Sequence, residues 1–293
     1  MPVSVVSNDA IAALVTRHEP EKGAAWALEK LGIRERRFMA ALDAHTGRPR
    51  AQTDEIDMAE KAAREAIKDA GLSPRTVGGL WYVSCTQTQE RQHFSLMAHE
   101  LHRRLGLPKH VPVLEMDAGC GGALHAVSYA RHMLGGSGAD NMLVVASNGP
   151  SAFYTDWESY IESGAWLSMY IFGDGAGAVL LRASRKRNGS GIIGTYTAVD
   201  PAQPLMEFRT VPGAKAPVYH IDGRAVAATF GVYARKALIE LQKQHRLDFA
   251  DVSRFYFHQV NGRVLQRFID GMGIPTEKVA THVERYGNMA AAA

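Results

Sequence analysis

The stretch EMDAGCGGALHA, residues 115–126, holds one of the chain's two cysteines between glycines. Residues 111–117 have the pattern of a strand, and the residues after Gly121 have that of a helix. A turn between the two places Cys120 near the positive end of a helix dipole, which favours a thiolate. Its glycine neighbours leave room for a bulky acyl group. The stretch therefore predicts a nucleophilic thiol, and the local residues leave a buried structural cysteine open as the alternative.

The composition is that of a globular enzyme, with 46% apolar and 22% charged residues. The formal charge of +3 is too small to indicate a nucleic-acid partner. We expect the basic clusters, such as Arg34, Arg36 and Arg37, to be solvated surface. Two cysteines make neither a disulfide framework nor a zinc site. The sequence has no signal-peptide pattern and no apolar run of membrane-spanning length, so we expect a cytoplasmic protein without a membrane partner.

Helix-like and strand-like segments alternate along the chain, which predicts an α/β fold. Helical spacing covers residues 59–72 and 93–108, and strand-like runs cover 78–85, 111–117, 141–148 and 169–183. The run FGDGAGAVLL (172–181) resembles a dinucleotide fingerprint. It lacks the G-x-G-x-x-G spacing and leads into a strand, so we reject NAD binding there.

The second half of the chain repeats the order of the first. When the two halves are aligned so that Val260 corresponds to Cys85, Leu247 corresponds to Leu72 and Tyr256 corresponds to Trp81. The repeat predicts two similar halves, residues 1–184 and 185–293, whose equivalent loops meet at a pseudo-two-fold axis. Continuing along it, Gly287-Asn288 falls on Gly119-Cys120. The two turns are therefore expected to face each other.

Two polar residues of the second half complete a possible site. His258, in FYFHQVNGR, ends a predicted strand at the same end of the fold as Cys120, and Asn288 occupies the turn equivalent to the cysteine. Cys, His and Asn converging from three loops form a nucleophilic set, in which the amide suits hydrogen bonding to a carbonyl oxygen. A packed core histidine and a turn asparagine remain the alternatives for these two residues.

With these residues assembled, the chain resembles the thiolase-superfamily condensing enzymes, above all the β-ketoacyl-acyl-carrier-protein synthase III group. The motifs that carry the resemblance are LGIRERR (31–37), DAGCGGAL (117–124), IFGDGAGAVLL (171–181), HQVNGR (258–263) and YGNMAAAA (286–293). The resemblance implies a five-layered αβαβα sandwich built from two duplicated halves, and a homodimer.

The resemblance also implies a reaction. Cys120 would attack an acyl thioester, acyl-CoA or an acyl-carrier protein, and release its thiol. His258 and Asn288 would bind the thioester carbonyl of malonyl-carrier protein or malonyl-CoA and stabilise the enolate that forms as CO2 leaves. The enolate would then attack the acyl group on Cys120. No cofactor is implied, because the acyl and malonyl thioesters are substrates.

Further positions carry over residue by residue. Trp26 matches a tryptophan that stacks on the CoA adenine, and Lys30 stands where an arginine commonly contacts a CoA phosphate. Phe94 aligns with an aromatic residue that limits the acyl pocket across the dimer, and Asn261 is placed beside the substrate. Arg263 aligns with a basic residue that docks the carrier protein. Near Trp166 a second CoA-contacting arginine has no counterpart, which makes a carrier-bound donor more plausible.

Some alternatives stay open. Members of the family continue beyond both ends of this sequence, so we expect it to be part of a longer chain. Transfer of the acyl group from Cys120 to a hydroxyl or an amine is an alternative reaction, and a non-catalytic partner subunit is another. The unusual segment SCTQTQERQHF (84–94) favours a specialised polyketide-type pathway over primary fatty-acid synthesis. Acyl chain length and branching are left open.

Overall fold

The computed structural model of the chain describes residue 2 and residues 4–42, 49–51, 53–86, 96–134, 139–184, 191–200, 205–214 and 218–293. The helices are α1 Asn8–Val15, α2 Ala24–Leu31, α3 Glu55–Asp69, α4 Met97–Leu105, α5 Gly122–Met133, α6 Trp157–Glu162, α7 Trp166–Ile171, α8 Gly223–His245, α9 Gly262–Met272 and α10 Val283–Tyr286. The strands are β1 Ser4–Ser7, β2 Glu35–Phe38, β3 Ala40–Leu42, β4 Pro49–Ala51, β5 Gly79–Val83, β6 Val113–Met116, β7 Asn141–Asn148, β8 Gly175–Arg182, β9 Met206–Arg209, β10 Val218–Ile221, β11 Phe255–Tyr256 and β12 Val279–Ala280.

A four-stranded sheet of order β6-β5-β7-β8 forms the centre of the first half. Strand β5 runs parallel to β6 and β7, and β8 runs antiparallel to β7. All residues of β5 and β7 are buried, as expected for strands covered on both faces. Because parallel strands end at the same edge of a sheet, the residues that follow β5, β6 and β7 lie close together. Cys120 follows β6 at this edge.

The two faces of the sheet are covered by different helices. Leu80 and Tyr82 of β5 pack with α3 and α4, whereas Trp81 and Val83 pack with α5. This division follows from the alternation of side chains along a strand. Helix α3 begins with a reciprocal capping box, in which Asp54 accepts from the Asp57 N–H and Asp57 accepts from the Asp54 N–H.

The second half contains the elements that the repeat predicted, in the same order. Helix α8 is followed by β11, α9 and β12, and β11 pairs in parallel with β12 as β5 does with β6. The aromatic rings of Phe230, Phe257 and Phe268 pack α8, the end of β11 and α9 together. The boundary between residues 184 and 185 stays a prediction.

The predicted strand over 169–183 is wrong in its first part. Residues 166–171 form α7, and β8 begins only at Gly175. Met169, Tyr170 and Ile171 are all buried, and an unbroken apolar run does not by itself distinguish a buried helix from a buried strand. Phe172 instead forms a parallel bridge with Asn288.

The prediction that Arg36 lies on a solvated surface is also wrong. Alternate residues of β2 point inward, and Arg36 shares this buried face with Phe38. Its guanidinium donates to the carbonyl oxygens of Val6 (3.2 Å) and Tyr170 (2.6 Å). Burial lowers the pKa of Arg36 to about 10. The charge is thus satisfied by carbonyl oxygens rather than by water.

None of the helices in the described ranges combines the length and the apolar character needed to cross a membrane.

Candidate active site

Cys120 lies in a short 3₁₀ turn, Gly119–Gly121, between the end of β6 and the start of α5. Gly119 has a φ of 56°, which a glycine adopts at little cost, and its N–H donates to Asp117 Oδ1 (2.9 Å). Gly122 serves close packing, since a Cβ there would lie 2.6 Å from Val83 Cγ1. The absence of a side chain at Gly122 therefore allows the turn to pack closely against β5. The sequence had predicted a different role for this glycine, to leave space for an acyl group.

The Cys120 thiol is neutral in the resting protein, contrary to the expected thiolate. Burial raises the pKa of Cys120 to about 12, and the carboxylate of Asp117 acts in the same direction. A backbone hydrogen bond within the turn opposes this effect only in part. Helix α5 begins two residues after the cysteine, so its dipole favours the thiolate. The cost of removing water from the thiolate is larger, and the pKa rises. The thiol must therefore lose its proton during attack.

Asn288 lies in a turn that is tied to the first half of the chain. Its backbone N–H donates to Ile171 O (2.9 Å), and its own carbonyl accepts from Gly173 N–H (3.0 Å). The side chain is buried, and its Oδ1 accepts from the Ala290 N–H (2.9 Å). Its Nδ2 donates to Val260 O (3.3 Å), two residues beyond His258. These bonds fix the amide between the histidine loop and the end of α7.

The Asn288 turn and the Cys120 turn meet, as the repeat predicted. Residues Ala290–Ala292 form a 3₁₀ turn that packs against Gly119–Gly121. Ala291 belongs to the same core cluster as Val83 and Ala126, which lie beneath the cysteine turn. The four terminal alanines thus form part of the wall beside Cys120.

His258 follows β11 and is held by its neighbour Gln259. The Gln259 amide donates to Phe257 O (2.9 Å) and Ala280 O (3.2 Å), and its Oε1 accepts from the His282 N–H (3.1 Å). Burial lowers the pKa of His258 to about 4; a hydrogen bond with the Ala293 backbone opposes the shift, and His282 adds to it. The imidazole is therefore neutral near pH 7 and carries a single N–H, so any further acceptor must displace the Ala293 backbone from it.

Cys85, the second cysteine, is a site residue that the sequence did not single out. It follows β5, and both its N–H (3.0 Å) and its Sγ (3.2 Å) bond to Asn148 Oδ1 at the end of β7. Burial raises the pKa of Cys85, and Cys120 and Asp117 raise it further. The two thiols thus lie near each other. A signal was present, because Cys85 ends a predicted strand that lies beside the one leading to Cys120.

Two buried carboxyl groups support the loops around this edge. Glu55 accepts from Tyr82 Oη (2.9 Å) and Thr86 Oγ1 (3.0 Å), on both sides of Cys85. Asp174 accepts from the N–H groups of Ser151 (2.9 Å) and Met39 (2.5 Å). Burial raises the pKa of each to about 7. No sequence pattern pointed to Glu55, whereas Asp174 lies in the motif IFGDGAGAVLL.

Trp26, the residue predicted to stack on an adenine, lies on α2 in an aromatic cluster. Its ring centroid is 5.5 Å from that of Trp166 and 6.1 Å from that of Tyr170. The Lys22 ammonium lies 5.1 Å from the centroid of its ring. Trp26 is only partly buried, so part of the ring remains exposed. Its role in CoA binding stays a prediction.

Lys30 and Arg263 lie on the same side of the molecule as Trp26. Lys30 is exposed and pairs with Glu29 (2.6 Å). Arg263 is exposed at the start of α9, and its Nε donates to Glu29 O (2.8 Å) at the end of α2. Carrier-protein docking by Arg263 and phosphate contact by Lys30 stay predictions.

Asn261 and Phe94 are the remaining predicted binding residues. Asn261 is buried, and its Oδ1 caps α9 by accepting from the Val264 N–H (2.8 Å). This cap accounts for an asparagine at the position, and contact with substrate stays a prediction for its amide nitrogen. Phe94 lies outside the described residues.

Two family models match the chain. The model described as 3-oxoacyl-[acyl-carrier-protein (ACP)] synthase III matches residues 114–201, and the model of the C-terminal part of the same enzyme matches residues 242–293. The first range contains Cys120, and the second contains His258 and Asn288.

Curated relatives and a solved structure agree with the family models. The β-ketoacyl-[acyl-carrier-protein] synthase III of Erythrobacter litoralis (strain HTCC2594) is 29% identical over 296 residues, covering 100% of this chain and 84% of the relative. The protein of the same name from Coxiella burnetii (strain RSA 493 / Nine Mile phase I) is 26% identical over 297 residues, with the same coverage of both chains. The crystal structure of 3-oxoacyl-(acyl carrier protein) synthase III from Pseudomonas aeruginosa PAO1 has a TM-score of 0.81 at 23% identity, covering 100% of this chain and 83% of that one.

The structural similarity confirms the predicted thiolase-like α/β fold. The family models and the relatives confirm the resemblance carried by the motifs. These matches support a condensing enzyme of the thiolase superfamily that is similar to the 3-oxoacyl-[acyl-carrier-protein] synthase III group.

Proposed function

We propose that the protein catalyses a decarboxylating Claisen condensation of an acyl thioester with malonyl-carrier protein or malonyl-CoA. One observation carries the proposal. The turn that bears Cys120 packs against the turn that follows Asn288, and the Asn288 amide bonds to the loop of His258. A nucleophile and two neutral hydrogen-bond donors are thereby gathered at one edge of the sheet.

The first half-reaction transfers the acyl group to Cys120. The sulfur attacks the thioester carbonyl, the bond from that carbon to the leaving sulfur breaks, and the Cys120 proton passes to the leaving thiol. The raised pKa of Cys120 keeps the free thiol protonated, so proton loss accompanies attack.

The second half-reaction forms the carbon–carbon bond. The imidazole N–H of His258 and the amide N–H of Asn288 hold the carbonyl oxygen of the malonyl thioester. Loss of CO2 leaves an electron pair that becomes an enolate, and these donors stabilise its negative charge. The enolate carbon attacks the acyl carbonyl, and the Cys120 sulfur leaves and regains a proton. No step requires a metal or a redox cofactor, because decarboxylation supplies the carbanion.

The donor and the assembly are finer parts of the proposal. We expect acyl-CoA or an acyl-carrier protein as the donor and a carrier protein as the partner for the malonyl group. We also expect a homodimer, because β6 is an edge strand and Leu114 on it is 41% exposed. Fatty-acid and specialised polyketide-type pathways both consume the β-ketoacyl product.

The test is intact-protein mass spectrometry after incubation with a panel of acyl-CoAs and acyl-carrier proteins, beside Cys120→Ala. We expect a mass gain equal to one acyl group, absent from the variant. Malonyl-carrier protein should then discharge the adduct as a β-ketoacyl product with release of CO2. Discharge by a hydroxyl or amine acceptor without malonyl donor would contradict the proposal in favour of acyl transfer. An acyl group on Cys120→Ala, or none on the wild type with any donor, would also contradict it.

A further inference from the structure

A second histidine, His282, follows the strand that pairs with the one before His258. Strands β11 and β12 pair in parallel with Phe255 opposite Val279 and Tyr256 opposite Ala280. His258 and His282 each lie two residues beyond these paired strands, at the same end of the pair.

Gln259 links the two segments that follow these strands through its side chain. Its Oε1 accepts from the N–H groups of His282 (3.1 Å) and Val283 (3.4 Å), and its Nε2 donates to Ala280 O (3.2 Å). Gln259 is 1% exposed, so these bonds are shielded from water. The backbones that carry the two histidines are therefore tied together by one buried amide.

Each of the two imidazoles has a buried nitrogen without a partner among the described residues. These atoms are Nδ1 of His258 and Nε2 of His282. Buried polar atoms in proteins are nearly always hydrogen-bonded, to protein or to an ordered water. His282 also lowers the pKa of His258, which requires the rings to be near each other.

Neither packing nor capping accounts for the His282 ring. The residue precedes α10 but makes no side-chain cap bond to it. Its ring centroid lies 6.2 Å from that of Tyr286, in a tilted arrangement that engages no ring nitrogen. An apolar or a simple amide side chain could make the same contact with Tyr286. The presence of a buried ring nitrogen, His282 Nε2, therefore requires another explanation.

We infer that His282 is a positioning residue for His258, which it holds through one water molecule that accepts from His282 Nε2 and donates to His258 Nδ1. Acceptance at Nδ1 leaves the ring proton of His258 on Nε2. The second nitrogen of a histidine thus decides which nitrogen faces the substrate as a donor. This inference rests on the proposed function, in which His258 donates to the malonyl thioester.

The activity test separates the two half-reactions. In His282→Leu we expect the rate at which malonyl-carrier protein discharges acyl-Cys120 to fall by roughly tenfold to a hundredfold, since a buried bond is lost and Nδ1 is orphaned. Acylation of Cys120 should change by less than about twofold, because His258 does not take part in it. His282→Gln, whose amide can donate, should recover most of the loss. His110→Leu, at an exposed histidine, is the matched control.

A spectroscopic test does not depend on activity. In ¹⁵N-labelled wild type, the His258 ring, assigned with His258→Gln, should show the proton on Nε2, and His282→Leu should mix the tautomers. An unchanged tautomer together with an unchanged discharge rate would overturn the inference. Equal losses in acylation and discharge would overturn it too, because they indicate general damage to the fold. If the wild type condenses nothing, the proposed function fails, and the tautomer alone decides the role of His282.

Discussion

The Cys120 turn and the Asn288 turn occupy equivalent places in the two halves, yet they are held in different ways. Each begins with a glycine of positive φ, 56° at Gly119 and 66° at Gly287. The first turn lies at the end of a four-stranded sheet whose two central strands, β5 and β7, are wholly buried. The second follows strands of two residues and is held by backbone bonds to Ile171 and Gly173 of the other half. The comparison indicates that the sheet of the first half positions the Cys120 thiol. The Asn288 amide, although it belongs to the second half, is positioned by backbone bonds to the first half as well.

The largest expected effect distinguishes the two glycines. Gly287 combines a φ of 66° with a ψ of −168°, a region almost restricted to glycine, and a Cβ there would lie 2.9 Å from Ile171 O. We expect Gly287→Ala to reduce the free energy of unfolding by about 3 kcal/mol or more. At Gly119 a Cβ would meet no atom within 4 Å, so Gly119→Ala should cost only about 1 kcal/mol.

Urea unfolding of both variants measures this difference. Equal losses would contradict the distinction, because they would mean that the close approach to the first half does not constrain Gly287.

The buried carboxyl groups predict how stability depends on pH on the cysteine side. The pKa of Glu55 and that of Asp174 are both raised to about 7 in the folded chain, from 4.5 and 3.8. Between about pH 4.5 and 7 the folded state therefore binds more protons than the unfolded state. Each of the two carboxyls should therefore lower the free energy of unfolding as pH rises through this window, by up to about 1.4 kcal/mol per pH unit. His258, whose pKa is lowered to about 4, acts in the opposite direction up to about pH 6.5.

Asp174→Asn should remove the contribution of one carboxyl, so that its slope is more positive than that of the wild type by up to about 1.4 kcal/mol per pH unit. Asp251→Asn, at an exposed aspartate, should leave the slope unchanged. Urea midpoints from pH 5 to 8 give the slopes, and a slope that is the same in Asp174→Asn and in the wild type would contradict the assignment of a protonated Asp174.

The smallest expected effect concerns the thiol itself. Asp117 is exposed, and its carboxylate raises the pKa of Cys120 while its Oδ1 accepts from Gly119 N–H. Asp117→Asn keeps an acceptor and removes the charge. We expect the pKa of Cys120 to fall slightly and its alkylation by iodoacetamide near pH 8 to accelerate by roughly two- to fivefold. Counting the label by mass in a Cys85→Ala background isolates Cys120, and a slower reaction would contradict the role given to Asp117.

Much of this arrangement was predictable from local sequence. Residues 141–148 were predicted as a strand and form β7, and the repeat predicted that the turns of Cys120 and Asn288 meet. Periodicity and repetition are visible in the order of residues along the chain, so they can be recognised without knowing how the elements pack.

The parts that could not be predicted depend on partners distant in sequence. Arg36 can be buried because its guanidinium donates hydrogen bonds to the carbonyl oxygens of Val6 and Tyr170. The pKa of Cys120 is raised because neighbouring elements exclude water from the thiol. Neither the burial of an arginine nor the desolvation of a cysteine leaves a pattern in the residues beside it.

The measurement that tests the central claim most directly uses Asn288→Asp. Aspartate keeps the oxygen that accepts from Ala290 N–H and replaces the donor with an anion that repels an enolate. We predict that the variant gains the acyl group on Cys120 as the wild type does, while discharge by malonyl-carrier protein slows by roughly a hundredfold or more. Discharge at the wild-type rate would contradict a role for the Asn288 amide in stabilising the enolate.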